Sequence, residues 1–452
     1  MDSFESVIIR ISQMIWGNAL VLVCIGAGIY FSIRLKFVQL RYIGSIKKLI
    51  LQKKTSNDGI SSFQSFVTTV GARVGMGNMA GVSAAIFYGG PGAVFWMWVV
   101  AVFGASLAFA ESVLAQKYQV VSNGQIYGGP AYYIEKGLHN RMLGVMYAAA
   151  VIAGPGILMN GPQIQSIAIT FEDTFGMERM YTGVICAVLM AMVIFGGIRR
   201  ISRMAEALAP AMCMAYLGLI AIVCIIHIEK IPQVLVLIVK SAFGLKPVFG
   251  GILGATIVNG VKRGIYSNEA GQGNGAMICA AVKTDRPVEQ GLIQSASVYI
   301  STMFICTASA MLMLLTTNYN VADGSGGMLV ENIPGVEYGI LWIKQALVDT
   351  YGNCAAVFLS VITVMFVFTT LMTYYYMAEG NVCYLFKKHY KAAIAVMRVL
   401  FIASILAGAC VSGDAVWGMG DIGAGMMAWI NIAAILMLSG EVVEMLRKYE
   451  EC

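Results

Sequence analysis

Apolar stretches of about 18 residues or more recur along the whole chain, each long enough to cross a hydrocarbon core of roughly 30 Å at about 1.5 Å per helical residue. That recurrence constrains the fold to an all-α polytopic membrane protein, because a transmembrane strand barrel would show short alternating segments instead. Composition agrees: 58% of residues are hydrophobic and 12% charged, whereas soluble globular chains carry about a quarter charged residues. The formal charge of +6 is distributed loop by loop, so it reports topology and gives no sign of a nucleic-acid partner. Ten cysteines are scattered singly, mostly in apolar segments such as those of Cys24, Cys186, Cys213 and Cys306. Without C-x-x-C pairs they read as small core residues.

The first apolar stretch, residues 14–33, follows Asp2 and Glu5 and lacks a clean small-residue cleavage site, so it reads as a retained extra N-terminal span and not a signal peptide. About eleven spans are expected, centred near residues 24, 76, 102, 156, 188, 216, 263, 302, 365, 401 and 427. Alternate loops are basic, beginning with Lys36, Arg41, Lys47, Lys48, Lys53 and Lys54, and continuing through Lys117, Lys136 and Arg141 to Lys387, Lys388 and Lys391. The loop with Asp323, Glu331 and Glu337 holds no Lys or Arg. This bias places the N-terminus outside and the C-terminus in the cytoplasm of a cell inner (plasma) membrane protein. Short loops without a Pro/Ser-rich linker suggest a single membrane transport domain over 1–452.

Two spans weaken their own helices. GARVGMGNMAG at 71–81 and RGIYSNEAGQGNG at 263–275 place glycines and polar residues at membrane depth, five spans apart. Five is odd, so the two interrupted spans, 2 and 7, cross in opposite directions, as inverted repeats opened by broken helices would (spans 2–6 over 62–227, spans 7–11 over 247–440). Close helix packing is the plainer alternative, and the small-xxx-small pair Gly77 and Gly81 fits it. Each glycine, however, costs about 0.8–1 kcal/mol of helix propensity, and Arg73 at mid-depth costs about 2.5–3.5 kcal/mol on insertion scales. Packing alone gives no return for Gly75 and Gly77 around Met76 before Asn78, or for Gly271, Gly273 and Gly275 interleaved with Gln272 and Asn274.

Irregular backbone at this depth is tolerated where it lines a cavity or is buried in protein. A half-helix N-terminus suits a carboxylate, and unwound carbonyls suit a hard cation. Asn78 is placed to cap the following half-helix or to coordinate an ion, with Ser267 and Asn268 in a similar place in the second break. Arg73 and Glu269 read either as a structural pair across the repeat interface or as substrate contacts. Glu111, Glu206 and Glu379 fall near expected span ends, where interface roles are expected.

These blocks resemble the alanine/glycine:cation symporter family, a sodium-coupled branch of the amino-acid transporters with a LeuT-like five-plus-five inverted repeat. The resemblance rests on ARVGMGNMAGV, GGPGAVFWMW, YGGPAYYIEKGL, GGIRRISRMAEALAP, RGIYSNEAGQGNGAMICAAVKTDRPVEQG and FVFTTLMTYYY. It implies that Gly75, Met76, Gly77 and Asn78 form the unwound part of one broken helix, and that Ser267, Asn268 and Glu269, with Gln272, belong to the other. It further implies that Gln163 and Tyr374 line the amino-acid pocket, Tyr374 standing where relatives usually have tryptophan. Thr369 and Thr370 match a pair that holds sodium with carbonyls of the first break, here those of Ala72 and Gly75. Read from the residues alone, the two threonines serve equally as inter-helix hydrogen bonds. The chain departs from the family pattern at Met76 (usually threonine), Gln272 (leucine), Asn274 (serine), Ser301 (aspartate) and Leu107 (lysine), which leaves room for a more polar substrate such as glutamine.

The expected function is sodium-coupled symport of a small neutral amino acid, of alanine or glycine type, into the cell by alternating access, with no cofactor beyond the coupling ion and a functional monomer in the lipid bilayer. A proton-coupled or exchange transporter of the same fold is the first alternative; it needs an embedded titratable relay, which Glu269 alone could supply. An intramembrane enzyme would need a nucleophile with a base or a metal cluster, and neither H-E-x-x-H nor G-x-S-x-G is present. A non-transporting sensor is a third.

Overall fold

The computed structural model describes residues 2–51, 60–122, 125–195, 197–411 and 413–451; Lys53 and Lys54 of the first basic loop lie outside them. Nine helices among the described residues are long and apolar enough to cross a membrane. Eight coincide with expected spans, at Glu5–Arg34, Ala93–Lys117, Arg141–Phe175, Arg200–Ile226, Pro287–Leu315, Cys354–Leu385, Tyr390–Cys410 and Asp414–Met437. The expected span near 188 appears as a shorter helix, Arg179–Ile194, which turns Val184, Ile185, Val188 and Met192 outward as a lipid-facing side would.

The ninth apolar segment, Ile228–Gly250, was not expected as a span. Its regular part is only Ile231–Ala242, about 18 Å long at 1.5 Å per residue, and Gly244 turns the chain at φ +66°. With its flanking turns the segment reaches 23 residues, but the regular helix alone is too short for a hydrocarbon core of roughly 30 Å. The extra N-terminal span is likewise divided, into Asp2–Ile15 and Asn18–Arg34.

Spans 2 and 7 are broken. In the first, a capping box starts the helix Ser62–Arg73: Gln64 N donates to Ser61 Oγ (3.0 Å) and Ser61 N to Gln64 Oε1 (3.1 Å). The helix stops at Val74, a short 3-10 turn covers Met76–Asn78, and Ala80–Gly89 resumes. In the second, Leu253–Asn268 ends at Glu269, which takes the left-handed conformation (φ 55°), and Asn274–Cys279 resumes after Gly271 and Gly273, both at positive φ. Only glycine occupies that region freely, which explains both positions. Two antiparallel hairpins complete the chain: Val120–Ser122 with Gln125–Tyr127, and Asn320–Ala322 with Met328–Glu331.

Candidate functional site

The two breaks meet. A Cβ on Gly77 would stand 3.1 Å from the Tyr266 ring and 3.3 Å from Ser267 Cα, and one on Gly275 would stand 2.7 Å from Arg73 Nη2. Glycine at these positions lets each broken span pack closely against the other, Gly77 on the helix end before the second break and Gly275 on the Arg73 side chain. Gly75, Met76, Gly77, Asn78, Gln163, Ser267, Asn268, Glu269, Gln272 and Tyr374 are all buried.

On one side of the first break, the helix end leaves carbonyls without intrahelical partners. Thr370 Oγ1 donates toward Gly71 O and Ala72 O, each at 3.3 Å, as well as Phe366 O at 3.0 Å. A Cβ on Gly75 would lie 2.6 Å from Thr370 Oγ1 and 3.0 Å from Gln163 Oε1, so Ala72, Gly75, Gln163 and Thr370 converge. Thr369 stands beside Gly71 but donates within its own helix, to Phe366 O (2.9 Å) and Met365 O (3.1 Å). Hydroxyl and carbonyl oxygens of this kind suit a hard monovalent cation. Gln163 Oε1 also accepts the Met76 N–H at 3.1 Å.

On the other side, Asn78 neither caps the following half-helix nor stands free. Its Oδ1 accepts the Gly75 N–H (3.2 Å), and its Nδ2 donates to Ser301 O (2.9 Å) and Ser301 Oγ (2.7 Å). Ser301 Oγ in turn donates to Ser267 O (3.0 Å), and Ser267 Oγ lies 2.9 Å from Cys306 Sγ. Ser309 Oγ closes the set on Asn78 O at 2.7 Å. Ser301 and Cys306 join the breaks, Cys306 Sγ also accepting from Asn78 Nδ2 at 3.4 Å, and Ser309 secures the first break alone. The sequence singles out Ser301 only as a departure from the family pattern and Cys306 only as a small core residue, because isolated Ser and Cys in apolar helices carry no site signal of their own.

The remaining expected residues are turned elsewhere. Glu269 Oε1 accepts from Tyr374 OH at 3.2 Å. Asn268 Oδ1 accepts from Ala270 N (3.0 Å), and Gln272 Nε2 folds back onto Ile265 O (2.9 Å). Arg73 does not pair with Glu269: Arg73 Nη1 donates to Gln294 O (3.0 Å) and Ser297 Oγ. Glu111 departs from the span-end role expected of it; its Oε2 accepts from Gly273 N (3.0 Å) and Asn431 Nδ2 (2.9 Å) inside the second break. Leu107 stands in an apolar niche with Ile265 and Ala270, against Gly271.

Beyond Ala80 a cavity of about 450 Å³ opens toward the acidic loop, lined by Phe87, Gln165, Ser166, Tyr338, Asp414 and Trp417. Trp417 separates it from an ionic cluster in which Asp421 binds Arg263 through two 3.0 Å contacts and Lys262 at 2.6 Å, while the Arg263 guanidinium sits 5.0 Å over the Trp417 ring. Ala80 and Phe87, on the half-helix that follows the first break, line this cavity, so it lies on the side of the breaks that faces the acidic loop.

The arrangement has relatives. A crystal structure of MhsT in complex with L-phenylalanine superimposes with a TM-score of 0.57 at 11% identity, covering 87% of this chain and 99% of that one, which shows the LeuT-like fold. A sodium/proton-dependent alanine carrier protein of Bacillus sp. (strain PS3) is 38% identical over 406 residues, 89% of this chain and 91% of its own. The "Probable sodium/glutamine symporter GlnT" of Bacillus subtilis (strain 168) is 37% identical over 440 residues, 97% of this chain and 89% of its own. Residues 1–452 match the description of one family throughout, and with this fold and these broken helices the chain belongs to the sodium:alanine symporter family.

Proposed function

We propose that the chain is a secondary transporter that carries a small neutral amino acid together with sodium, and that it is not an enzyme. The observation that carries the reading is the packing of the first break, at Gly77, against the helix end at Tyr266 and Ser267 that leads into the second break, which brings two interruptions of helix together at membrane depth. Thr370, with the carbonyls of Ala72 and Gly75 and with Thr369 beside them, would hold sodium. Met76, Gly77, Asn78, Gln163, Ser267, Glu269 and Tyr374 would surround the amino acid, with Asn268 and Gln272 shaping the second break. The names of the relatives point to alanine or glutamine as cargo.

In this reading spans 2–6 (62–227) and 7–11 (247–440) are inverted repeats that rock against each other around the fixed site. The basic loops favour an N-terminus outside and a C-terminus in the cytoplasm of the plasma membrane; the 450 Å³ cavity would then be the outer vestibule, and one chain would suffice for function. A screen of L- and D-amino acids by thermal stabilisation of the purified protein tests this, because a ligand specific to the native state raises the melting temperature. Stabilisation by alanine or glutamine, larger with sodium, is expected; no response to any amino acid would overturn the reading.

A further inference from the structure

The first span ends in a turn made by two bulky residues where glycine is the usual choice. Phe37 N donates to Ser32 O at 2.7 Å and Lys36 N to Ile33 O at 3.0 Å, the hydrogen bonds of a Schellman helix end. Lys36 and Phe37 both take the left-handed conformation, at φ 51° and 52°, which long or bulky side chains rarely adopt. Strain of this kind persists where the surroundings offset it. In this motif the residue at the Phe37 position commonly packs back on the helix, but Phe37 and Lys36 are both exposed. The turn therefore holds two side chains outward at a conformational cost.

The chain beyond the turn keeps the same division. Two short helices, Val38–Arg41 and Ile46–Ile50, lead from the first span toward the second. Leu35, Val38, Gln39 and Leu49 are buried and Tyr42, Ile46 and Ile50 half-buried, a spacing of three and four that turns one side of a helix to the protein. Gln39 fastens that side, its Nε2 donating to Ser32 Oγ (2.8 Å) and Val102 O (3.4 Å). The opposite stripe is exposed and carries Lys36, Phe37, Leu40, Lys47 and Lys48, with Ile43 beside it. Residues 34–51 contain no Asp or Glu. Arg41 pairs with Glu450 of the helix Ser439–Glu450, but among the described residues no carboxylate pairs with Lys36, Lys47 or Lys48.

We propose that the outer face of residues 36–51 is a docking surface for anionic phospholipid headgroups. Phe37, Leu40 and Ile43 enter the boundary between headgroups and acyl chains, and the ammonium groups of Lys36, Lys47 and Lys48 meet lipid phosphates. Water disfavours the exposed apolar side chains and hydrocarbon disfavours the lysines, whereas a membrane interface accommodates both on one face. The left-handed turn then has its compensation, because it sets an aromatic ring and an ammonium side by side at the lipid surface. A zwitterionic headgroup offers the same phosphate but brings its own ammonium, so net negative charge decides between lipids. An acidic soluble partner would need only the cations; the apolar residues interleaved with them favour lipid. This surface requires only that the first span end at a membrane interface, and it does not depend on what the protein transports.

The melting temperature of the purified full-length protein in uncharged detergent, with phosphatidylglycerol or phosphatidylcholine added in equal amounts, tests the proposal, since a lipid bound to the native state raises it. The wild type is expected to gain more from phosphatidylglycerol, and the difference to shrink in high salt. Combined Lys36→Gln, Lys47→Gln and Lys48→Gln should melt like the wild type without lipid and lose the larger part of that difference. Lys36→Gly relieves the turn, so its lipid-free melting temperature should hold or rise while its phosphatidylglycerol gain falls; a lower lipid-free value would assign Lys36 a structural role and overturn the proposal. Equal gains from the two lipids, or an undiminished phosphatidylglycerol gain in the triple variant, would overturn it. So would the same gain from soluble polyglutamate, which would show a partner of another class. If the triple variant fails to fold, native mass spectrometry of the wild type from an equimolar lipid mixture decides, with preferential retention of phosphatidylglycerol expected and equal retention refuting it. Failure of amino-acid uptake, in contrast, would count against the transport reading and leave the lipid response untouched.

Discussion

Replacing Gly75 by alanine separates a binding element from a packing device. The backbone at Gly75 is extended, with φ −125° and ψ −157°, a region open to alanine, so no backbone strain enters. The whole effect comes from the added methyl, which would stand 2.6 Å from Thr370 Oγ1 and 3.0 Å from Gln163 Oε1. Neither neighbour is free to withdraw: Thr370 is held by Phe366 O at 3.0 Å, and Gln163 by the Met76 N–H at 3.1 Å. Overpacking of this kind costs about 1–3 kcal/mol, which at about 1.4 kcal/mol per tenfold is a loss of roughly 5- to 150-fold in apparent affinity. Alanine also favours helix over glycine by about 0.8–1 kcal/mol, which works toward closing the break. The control is Gly81→Ala, whose methyl would meet Met76 O and the Trp417 ring at an ordinary 3.8 Å. Uptake of labelled alanine into proteoliposomes, titrated with sodium, is expected to weaken strongly in Gly75→Ala and to stay within about twofold in Gly81→Ala. Wild-type sodium and substrate affinity in Gly75→Ala would refute the reasoning. A larger loss in Gly81→Ala would favour packing as the purpose of the glycines.

Thr370→Val is expected to lose sodium affinity while Thr370→Ser keeps it, because only the Thr370 hydroxyl faces the freed carbonyls of Gly71 and Ala72. Thr369→Val should have the smaller effect, since that hydroxyl is bonded within its own helix; equal losses in a sodium titration would contradict the asymmetry. Asp421→Asn removes the shared anion of Lys262 and Arg263, and breaking a buried pair costs about 3–5 kcal/mol, so the melting temperature should fall clearly; an unchanged one would show that the cluster carries no stability. At the hairpin tip, the Ser325 hydroxyl first, then the backbone N–H groups of Ser325 and Gly327, hold the Asp323 carboxyl below its ordinary value of 3.8. A depressed folded-state value contributes stability above the unfolded value and loses it as pH falls through the lower folded one. Amide protection at Ser325 and Gly327 should therefore be steady down to about pH 4 and decline below it, and a decline beginning near neutrality would contradict this.

Much of the architecture was legible because hydrophobic length is a strong signal. Cys354–Leu385 and Ala93–Lys117 are long apolar runs whose helical nature follows from the cost of unpaired backbone in lipid. The breaks were legible through glycine and amide clusters, and the structure narrowed them to residues 74–79 and 269–273. The short helix Ile231–Ala242 agrees with the absence of an expected span there, although apolar content alone would have admitted one. The partners of site residues were the least legible. Asn78 reaches Ser301 across 223 positions and Glu111 reaches Gly273 across 162, and no local pattern encodes which distant backbone a buried side chain will meet. Arg73 illustrates the point: its charge called for a partner, and charge alone suggested Glu269, but the geometry gives it Gln294 O and Ser297.

The most direct test of sodium-coupled symport is accumulation of labelled alanine or glutamine in proteoliposomes under an inward sodium gradient, with pH equal on both sides and choline replacing sodium in the control. The expected result is uptake above the external concentration that collapses when the sodium gradient is dissipated. Undiminished accumulation in choline at the same pH would contradict sodium coupling at the broken helices.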